Sequence, residues 1–301
     1  MVFVAEEKER LDKFLARMMP QESRSKLAKM VAEQGVLVQG EDVRRPSFEL
    51  RPGWSVECGE VPASIPHDLT PVAMPLDVVY EDDALLVVNK PRGLVVHPGP
   101  SVRGATLVQA LLARGGELSE GSAPFRPGIV HRLDKETTGL MAVAKSDAVH
   151  RSLAEQLRAK SAERRYLAGV KGTPGQERFT VEAPIARDPR RPTKMAAVAG
   201  GKPAVTHFKT LCRLDRGSLL ACRLETGRTH QVRVHLMAVG FPVLGDDLYA
   251  PPPWDAGPMQ LHAGYLSFVH PTTGATMAFF APPPADFAEM PVDPQSALEE
   301  W

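Results

Sequence analysis

Cysteine is scarce: Cys58, Cys212 and Cys222 are the only three in 301 residues, and no CxxC pair occurs. An odd count without metal-ligand spacing excludes a disulfide framework and a zinc site, and it fits a reducing compartment. Long apolar runs are missing too. No stretch approaches the ~18 residues of a membrane span, and the first ten residues mix Glu, Lys and Arg where a leader would be apolar. The chain is therefore expected in the cytoplasm, away from membranes. Net charge is also absent: 36 Lys and Arg cancel 36 Asp and Glu, so neither a basic coat nor an acidic halo covers the whole protein. The Gly-x-Gly-x-x-Gly, phosphate-loop and His-Glu-x-x-His patterns do not occur, which removes the usual signals for a nucleotide cofactor or a helical zinc pair.

What remains is a chain of 43% hydrophobic residues, enough for packed cores and, at ~150 residues per domain, long enough for two of them. Leu11, Phe14, Leu15 and Met18 recur at helical spacing, and Leu27, Met30 and Val31 repeat the pattern after Ser23 or Ser25, either of which could cap a helix. Gly35 reads as the stop of the second helix. A Val36, Val38 alternation, a turn at Gly40 and a strand reaching Val56 follow. Four prolines within residues 61–75 then mark a linker. The expected division is a first domain over 8–60, the linker, a large domain over 76–285, and a solvated acidic tail over 286–301.

In the large domain, strand-like runs outnumber helices: 83–89, 139–144, 166–171, 205–211 and 218–225. One helix is plain from Val149, Leu153 and Leu157 at four-residue intervals. Without regular strand-helix alternation, the class is α+β and not doubly wound. Charge is uneven here, with ten Lys and Arg against five Asp and Glu over 126–171, and eleven against three over 186–233. Such local excess in a neutral chain is the pattern of one face that meets phosphates.

Two resemblances are carried by particular strings. "RLDKFLARMMPQESRSKLAKMVAEQGVLVQGEDV" with "RPGWSVE" resembles a small S4-like (αL-type) RNA-binding domain, and implies structured RNA as partner, with Arg24, Lys26 and Lys29 at the start of the second helix as contacts. "RPGIVHRLDKETTGLMAVAK", residues 126–145, is similar to the signature of the RluA/RluD group of RNA pseudouridine synthases. Read alone, this string offers one carboxylate, Asp134, between Arg132 and Lys135, and an Asp beside an Arg in a loop is more often a surface pair than a catalyst. Further blocks follow in the order of that group: "LLVVNKPRGLVVHPG" upstream, then "AERRYLAGVKG", "LETGRTHQVRVHLMAVGFPVLGDDLY" and "LHAGYLSFVHPTTGATMAFFAPPP". The chain departs from the group's usual residues at Phe241 and Met259.

The resemblance implies a catalytic domain built on a central mixed, largely antiparallel sheet, and isomerisation of uridine to pseudouridine without a cofactor. Large-subunit ribosomal RNA is the expected substrate and a monomer the expected state. It assigns the essential carboxylate to Asp134, its cationic partner to Arg233, and stacking on the uracil, with proton removal at C5, to Tyr166. Arg132 is expected to fill the gap left by the flipped nucleotide, and Arg228, Arg187, Arg191 and Lys194 to meet phosphates. No metal is expected, since His131, His230, His235 and His262 have no ligand spacing and read as structural hydrogen bonders. Two rivals stay open on the sequence: a non-catalytic RNA-binding factor that retains the fold, and a base-releasing glycosidase, which would need a second carboxylate from Glu136 or Glu225.

Overall fold

The computed structural model describes the whole chain except residues 23, 60, 62–67, 100–101, 122, 124, 216 and 251–256. The cap candidate Ser23 and most of the proline-rich segment thus lie outside the described residues. The chain divides into two compact units, Met1–Pro66 and His67–Trp301.

The first unit contains β1 (Val2–Val4), α1 (Leu11–Met18), α2 (Arg24–Gln34), β2 (Val36–Val38), β3 (Glu41–Val43) and β4 (Ser55–Glu57). The apolar residues spaced along α1 and α2 (Leu11, Phe14, Leu15, Leu27, Met30 and Val31) are fully or almost fully buried against Val36, Val38 and Val56 of a four-stranded sheet ordered β1-β4-β2-β3. Gly35, at φ 78°, ends α2 and turns the chain directly into β2. The strand β1 is a run of only three apolar residues, and it lies at the edge of the sheet with Val2 and Val4 exposed.

Among the described residues the second unit is built on a sheet of nine strands: β5 (Asp77–Glu81), β6 (Leu85–Lys90), β7 (Thr138–Ala144), β8 (Glu163–Val170), β9 (Arg178–Glu182), β12 (Val205–Leu214), β13 (Gly217–Leu224), β14 (Leu261–Val269) and β15 (Thr276–Phe280). A separate hairpin pairs β10 (Ile185–Arg187) with β11 (Met195–Ala197). Along the large sheet the order is β5-β6-β7-β14-β8-β13-β12-β9, with β15 branching from β14. Every pairing is antiparallel except β7 with β14, so the sheet is mixed and largely antiparallel as expected. At that parallel junction Gly139, φ 117°, lies where any Cβ would strike the backbone of Ala263.

The sheet is buried on both faces, which is why its central strands read as continuous apolar runs. In β6, Leu86 and Val88 face one side with Met141 and Val143, against Leu107, Val108 and Leu111 of α3 (Leu107–Arg114) and Val232 and Leu236 of α5 (Gln231–Ala238). Leu85 and Val87 face the other side with Leu140 and Ala142, against Val149 and Leu153 of α4 (Asp147–Arg158). Among the described residues three helices have side-chain caps: Thr106 and Gln109 form a capping box on α3, Ser146 caps α4, and Asp293 caps α6 (Pro294–Glu299).

The expectation of a solvated tail over 286–301 is overturned. Phe287 and Leu298 are buried with Leu167, Leu219 and Ala221 of the sheet, and Arg165 Nη1 donates to the carbonyls of Leu298 (2.5 Å) and Glu299 (2.9 Å). An acidic composition hid a short helix that packs on β8 and β14. No helix among the described residues is long and apolar enough to cross a membrane.

Candidate active site

A cleft of about 750 Å³ opens in the second unit, on the face of the sheet covered by α3 and α5, and Asp134, Tyr166, Arg233, Arg132 and Arg228 all line it. The loop that carries Asp134 leads into β7 and is held from both ends. His131 Nε2 accepts the Ala142 amide at 3.0 Å, and the Thr137 amide donates to the Asp134 carbonyl at 3.2 Å. From the end of β6, the buried ammonium of Lys90 donates to the carbonyls of Pro91 (2.9 Å), Leu94 (2.9 Å) and Lys135 (3.0 Å), and Arg92 Nη1 to that of Glu136 (3.1 Å). Burial pushes the Lys90 pKa down to about 7, although Asp134 and Glu136 favour its charge.

Arg233 is presented by the first turn of α5, which Gln231 and His235 pin to the sheet. Gln231 Nε2 donates to Val205 O (3.0 Å) and Thr206 Oγ1 (2.9 Å), and His235 bridges Thr206 Oγ1 (2.9 Å) and Ala183 O (3.0 Å). The guanidinium spans two carboxylates. Nη1 donates to Asp134 Oδ2 at 2.9 Å, while Nε and Nη2 grip Asp246 at 2.7 and 2.8 Å. Asp246 is fully buried and also accepts the amides of Leu248 (3.0 Å) and Tyr249 (3.1 Å). Burial opposes the charge of Arg233, but the Asp246 bonds and the two carboxylate charges outweigh it and raise its pKa. Its guanidinium carbon also sits 5.0 Å from the Tyr249 ring centroid.

With Arg233 engaged this way, only Oδ2 of Asp134 is bonded. Oδ1 accepts no hydrogen bond from the described residues, and His230 Nε2 lies 3.8 Å from it. His230 takes the left-handed conformation, φ 57°, at the entry to α5, where its Nδ1 and the Tyr249 hydroxyl are 2.8 Å apart. Such backbone is costly outside glycine and clusters at working sites. Tyr166 is 7% exposed on β8 and contributes its ring to the wall of the cleft. Burial raises its pKa; Arg164 opposes that rise, whereas Asp134 adds to it.

The remaining predicted contacts divide. Arg132 and Arg228 are exposed along the cleft. Arg187, Arg191 and Lys194 do not line it: Lys194 bonds the Leu248 carbonyl beside Tyr249, and Arg187 Nη1 donates to Pro192 O at 2.8 Å. In the first unit each candidate cation faces a carboxylate: Arg24 the buried Asp12 (2.7 Å), Lys26 Glu22 (2.8 Å) and Lys29 Glu33 (3.8 Å). Glu225, a possible second carboxylate, is bound by Lys160 (2.6 Å) and His207 (2.8 Å), which hold it below the usual carboxylate range. The other, Glu136, pairs with its neighbour Lys135. Sequence reasoning missed Lys90, Asp246 and Tyr249. The "NKP" and "GDDLY" strings that contain them were visible, but one residue reads as a surface charge and the others as a turn.

A carboxylate held by one oxygen, a buried guanidinium fixing it, and an aromatic wall in a basic cleft fit an enzyme that acts on a nucleic-acid base. Comparison with known proteins places the chain more narrowly. Residues 84–238 match the family model described as RNA pseudouridylate synthase, and residues 9–54 match the S4 domain. The chain is 45% identical to "Uncharacterized RNA pseudouridine synthase YlyB" of Bacillus subtilis, over 94% of this chain and 93% of that one. It is 42% identical to "Ribosomal large subunit pseudouridine synthase D" of Zymomonas mobilis, over 92% and 91%. Among solved structures, human RNA Pseudouridylate Synthase Domain Containing 1 superposes with a TM-score of 0.56 at 27% identity, covering 73% of this chain and 87% of that one. The chain belongs to the RNA pseudouridine synthase family and carries an N-terminal S4 domain.

Proposed function

We propose that this enzyme converts uridines of large-subunit ribosomal RNA to pseudouridine with Asp134 as the catalytic carboxylate and no cofactor. The observation that carries the reading is the one-sided pairing of Asp134: Oδ2 is taken by Arg233, and Oδ1 is left for substrate. The isomerisation breaks the N1–C1′ bond, turns the base, joins C5 to C1′ and exchanges the C5 proton for one at N1, so atoms and electrons balance without an outside reagent. Asp134 Oδ1 acts at C1′, by bonding to it or by balancing its positive charge. Tyr166 holds the base by its ring, and its hydroxyl takes part in proton removal at C5. Arg132 and Arg228, exposed at the cleft, meet the displaced strand and its phosphates. The named activity of the Zymomonas mobilis relative supports the ribosomal substrate. The engaged state of Glu225 and Glu136 speaks against a base-releasing glycosidase.

The test is incubation of unmodified ribosomal RNA, tritiated at uridine C5, with the wild-type protein and with Asp134→Asn. Tritium release by the wild type, lost by more than about 10³-fold in the variant at unchanged RNA affinity, is the expected result. Free uracil as product, or an active Asp134→Asn, would refute the assignment.

A further inference from the structure

Arg164 is a deeply placed cation without a counter-charge. It is 9% exposed, its Nε is buried with no hydrogen-bond partner, and no carboxylate among the described residues offsets the burial that lowers its pKa. This contrasts with Arg233, whose charge two aspartates answer. A buried guanidinium left in that state is costly unless a ligand completes it. Arg164 lines the same cleft as Asp134 and Tyr166. The two-residue period of β8 puts it on the face of Tyr166. Its approach depends on Gly227, where an added Cβ would lie 2.6 Å from Nη1.

A second donor lies on the same wall. His131 Nε2 accepts the Ala142 amide, so its proton sits on Nδ1, which is also buried without a partner. Burial and the nearby Arg164 charge push its pKa down to about 3, which keeps the ring neutral. Arg164 and His131 thus place two unpartnered donors in the cleft that Tyr166 lines. Their complement is a flat ring bearing carbonyl oxygens, on which negative charge grows.

We propose that Arg164 is a catalytic residue that accepts the negative charge of the uracil ring as the C1′–N1 bond breaks. This rests on the reading of the cleft as a uridine isomerisation site. The bonding pair moves to N1 and spreads onto the ring oxygens, where the guanidinium balances it. As C5 attacks C1′ with its ring π electrons the N1 pair is drawn into the ring; the C5 proton then departs to the base of the site, negative charge returns to N1, and N1 takes a proton from water. Arg164 neither gives nor takes a proton. Asp134 and Arg164 divide the charge between them, the carboxylate serving the cationic sugar and the guanidinium the anionic base.

The experiment compares single-turnover rates on large-subunit ribosomal RNA transcribed with uridine or with 5-fluorouridine, whose more acidic base carries charge with less help. Loss of the N-glycosidic nucleoside is the readout. Arg164→Met should slow uridine by on the order of 10²-fold, the effect of removing one charge-stabilising donor, and Arg164→Lys by about tenfold or less. RNA affinity should change by less than about threefold, and the defect should shrink about tenfold on 5-fluorouridine. Gly227→Ala, which displaces the guanidinium without removing it, should show the same pattern at reduced size, and it carries the test if Arg164→Met does not fold. An unchanged rate, an equal defect on both bases, or a loss of affinity that matches the loss of rate would overturn the proposal. If the wild type forms no pseudouridine, the parent reading has failed instead.

Discussion

Removing Arg233 while leaving both carboxylates in place separates its structural duty from its catalytic one. In Arg233→Met, Asp134 keeps access to water at 15% side-chain exposure, but Asp246 is 0% exposed and loses both guanidinium bonds. The stability cost therefore falls on Asp246. Breaking a buried ion pair by deleting one partner costs about 3–5 kcal/mol, which for a unit of this size lowers the thermal midpoint by roughly 10 °C. Adding Asp246→Asn removes the stranded charge and keeps an oxygen for the amides of Leu248 and Tyr249. Replacing both partners is nearly neutral where deleting one is not. The double variant should thus recover most of the lost stability in urea or thermal unfolding. Its isomerisation rate should stay at the level of Arg233→Met, because Asp134 still lacks its cation. A double variant no more stable than the single would show that the charge of Asp246 is not what the substitution strands. Recovery of activity would show that Arg233 does not work through Asp134.

Tyr166→Phe keeps the ring that walls the cleft, so RNA affinity should hold within about threefold while product formation slows by 10²-fold or more; an equal fall in both would make the residue structural. Lys90 supplies a pH test. Its folded pKa of about 7 lies below the unfolded value, so the unfolded chain binds the extra proton and stability rises with pH from about 7 to 10. Against Lys90→Met, whose slope should be flatter by up to about 1.4 kcal/mol per pH unit, urea unfolding at pH 7 and 9 measures this; parallel slopes would mean Lys90 keeps an ordinary pKa. Removal of residues 1–66 should leave a cooperatively folding second unit, since the two units have separate cores. Binding to long ribosomal RNA should then weaken more than binding to a short stem-loop; an unfolded truncation by circular dichroism would refute it.

The local features came from short-range rules: the apolar spacing of α1 and α2, the glycine stop at Gly35 and the strand runs of β6, β7 and β13 each depend on residues within a few positions of one another. The strings around Asp134, Tyr166 and Arg233 were legible for the same reason, as ordered blocks that resemble a family. The helices α3, α5 and α6 were not. Gln231, Arg233 and His235 face the sheet and the cleft, so α5 has no polar outer face to read, and the acidic composition of the last residues masked Leu298.

Only the tertiary structure decided what each charge is for. Asp134 stands 99 residues before Arg233 in the chain, with Asp246 another 13 beyond, and the carboxylate of Asp134 meets the guanidinium only when α5 packs on the sheet. Lys90 and Arg164 look like ordinary solvated cations in sequence, yet one is enclosed by backbone carbonyls and the other has a buried Nε with no hydrogen-bond partner among the described residues. A residue's type is written in the chain, but its solvation is not. Burial sets the cost of a charge and geometry selects what answers it, and both are properties of the packed chain.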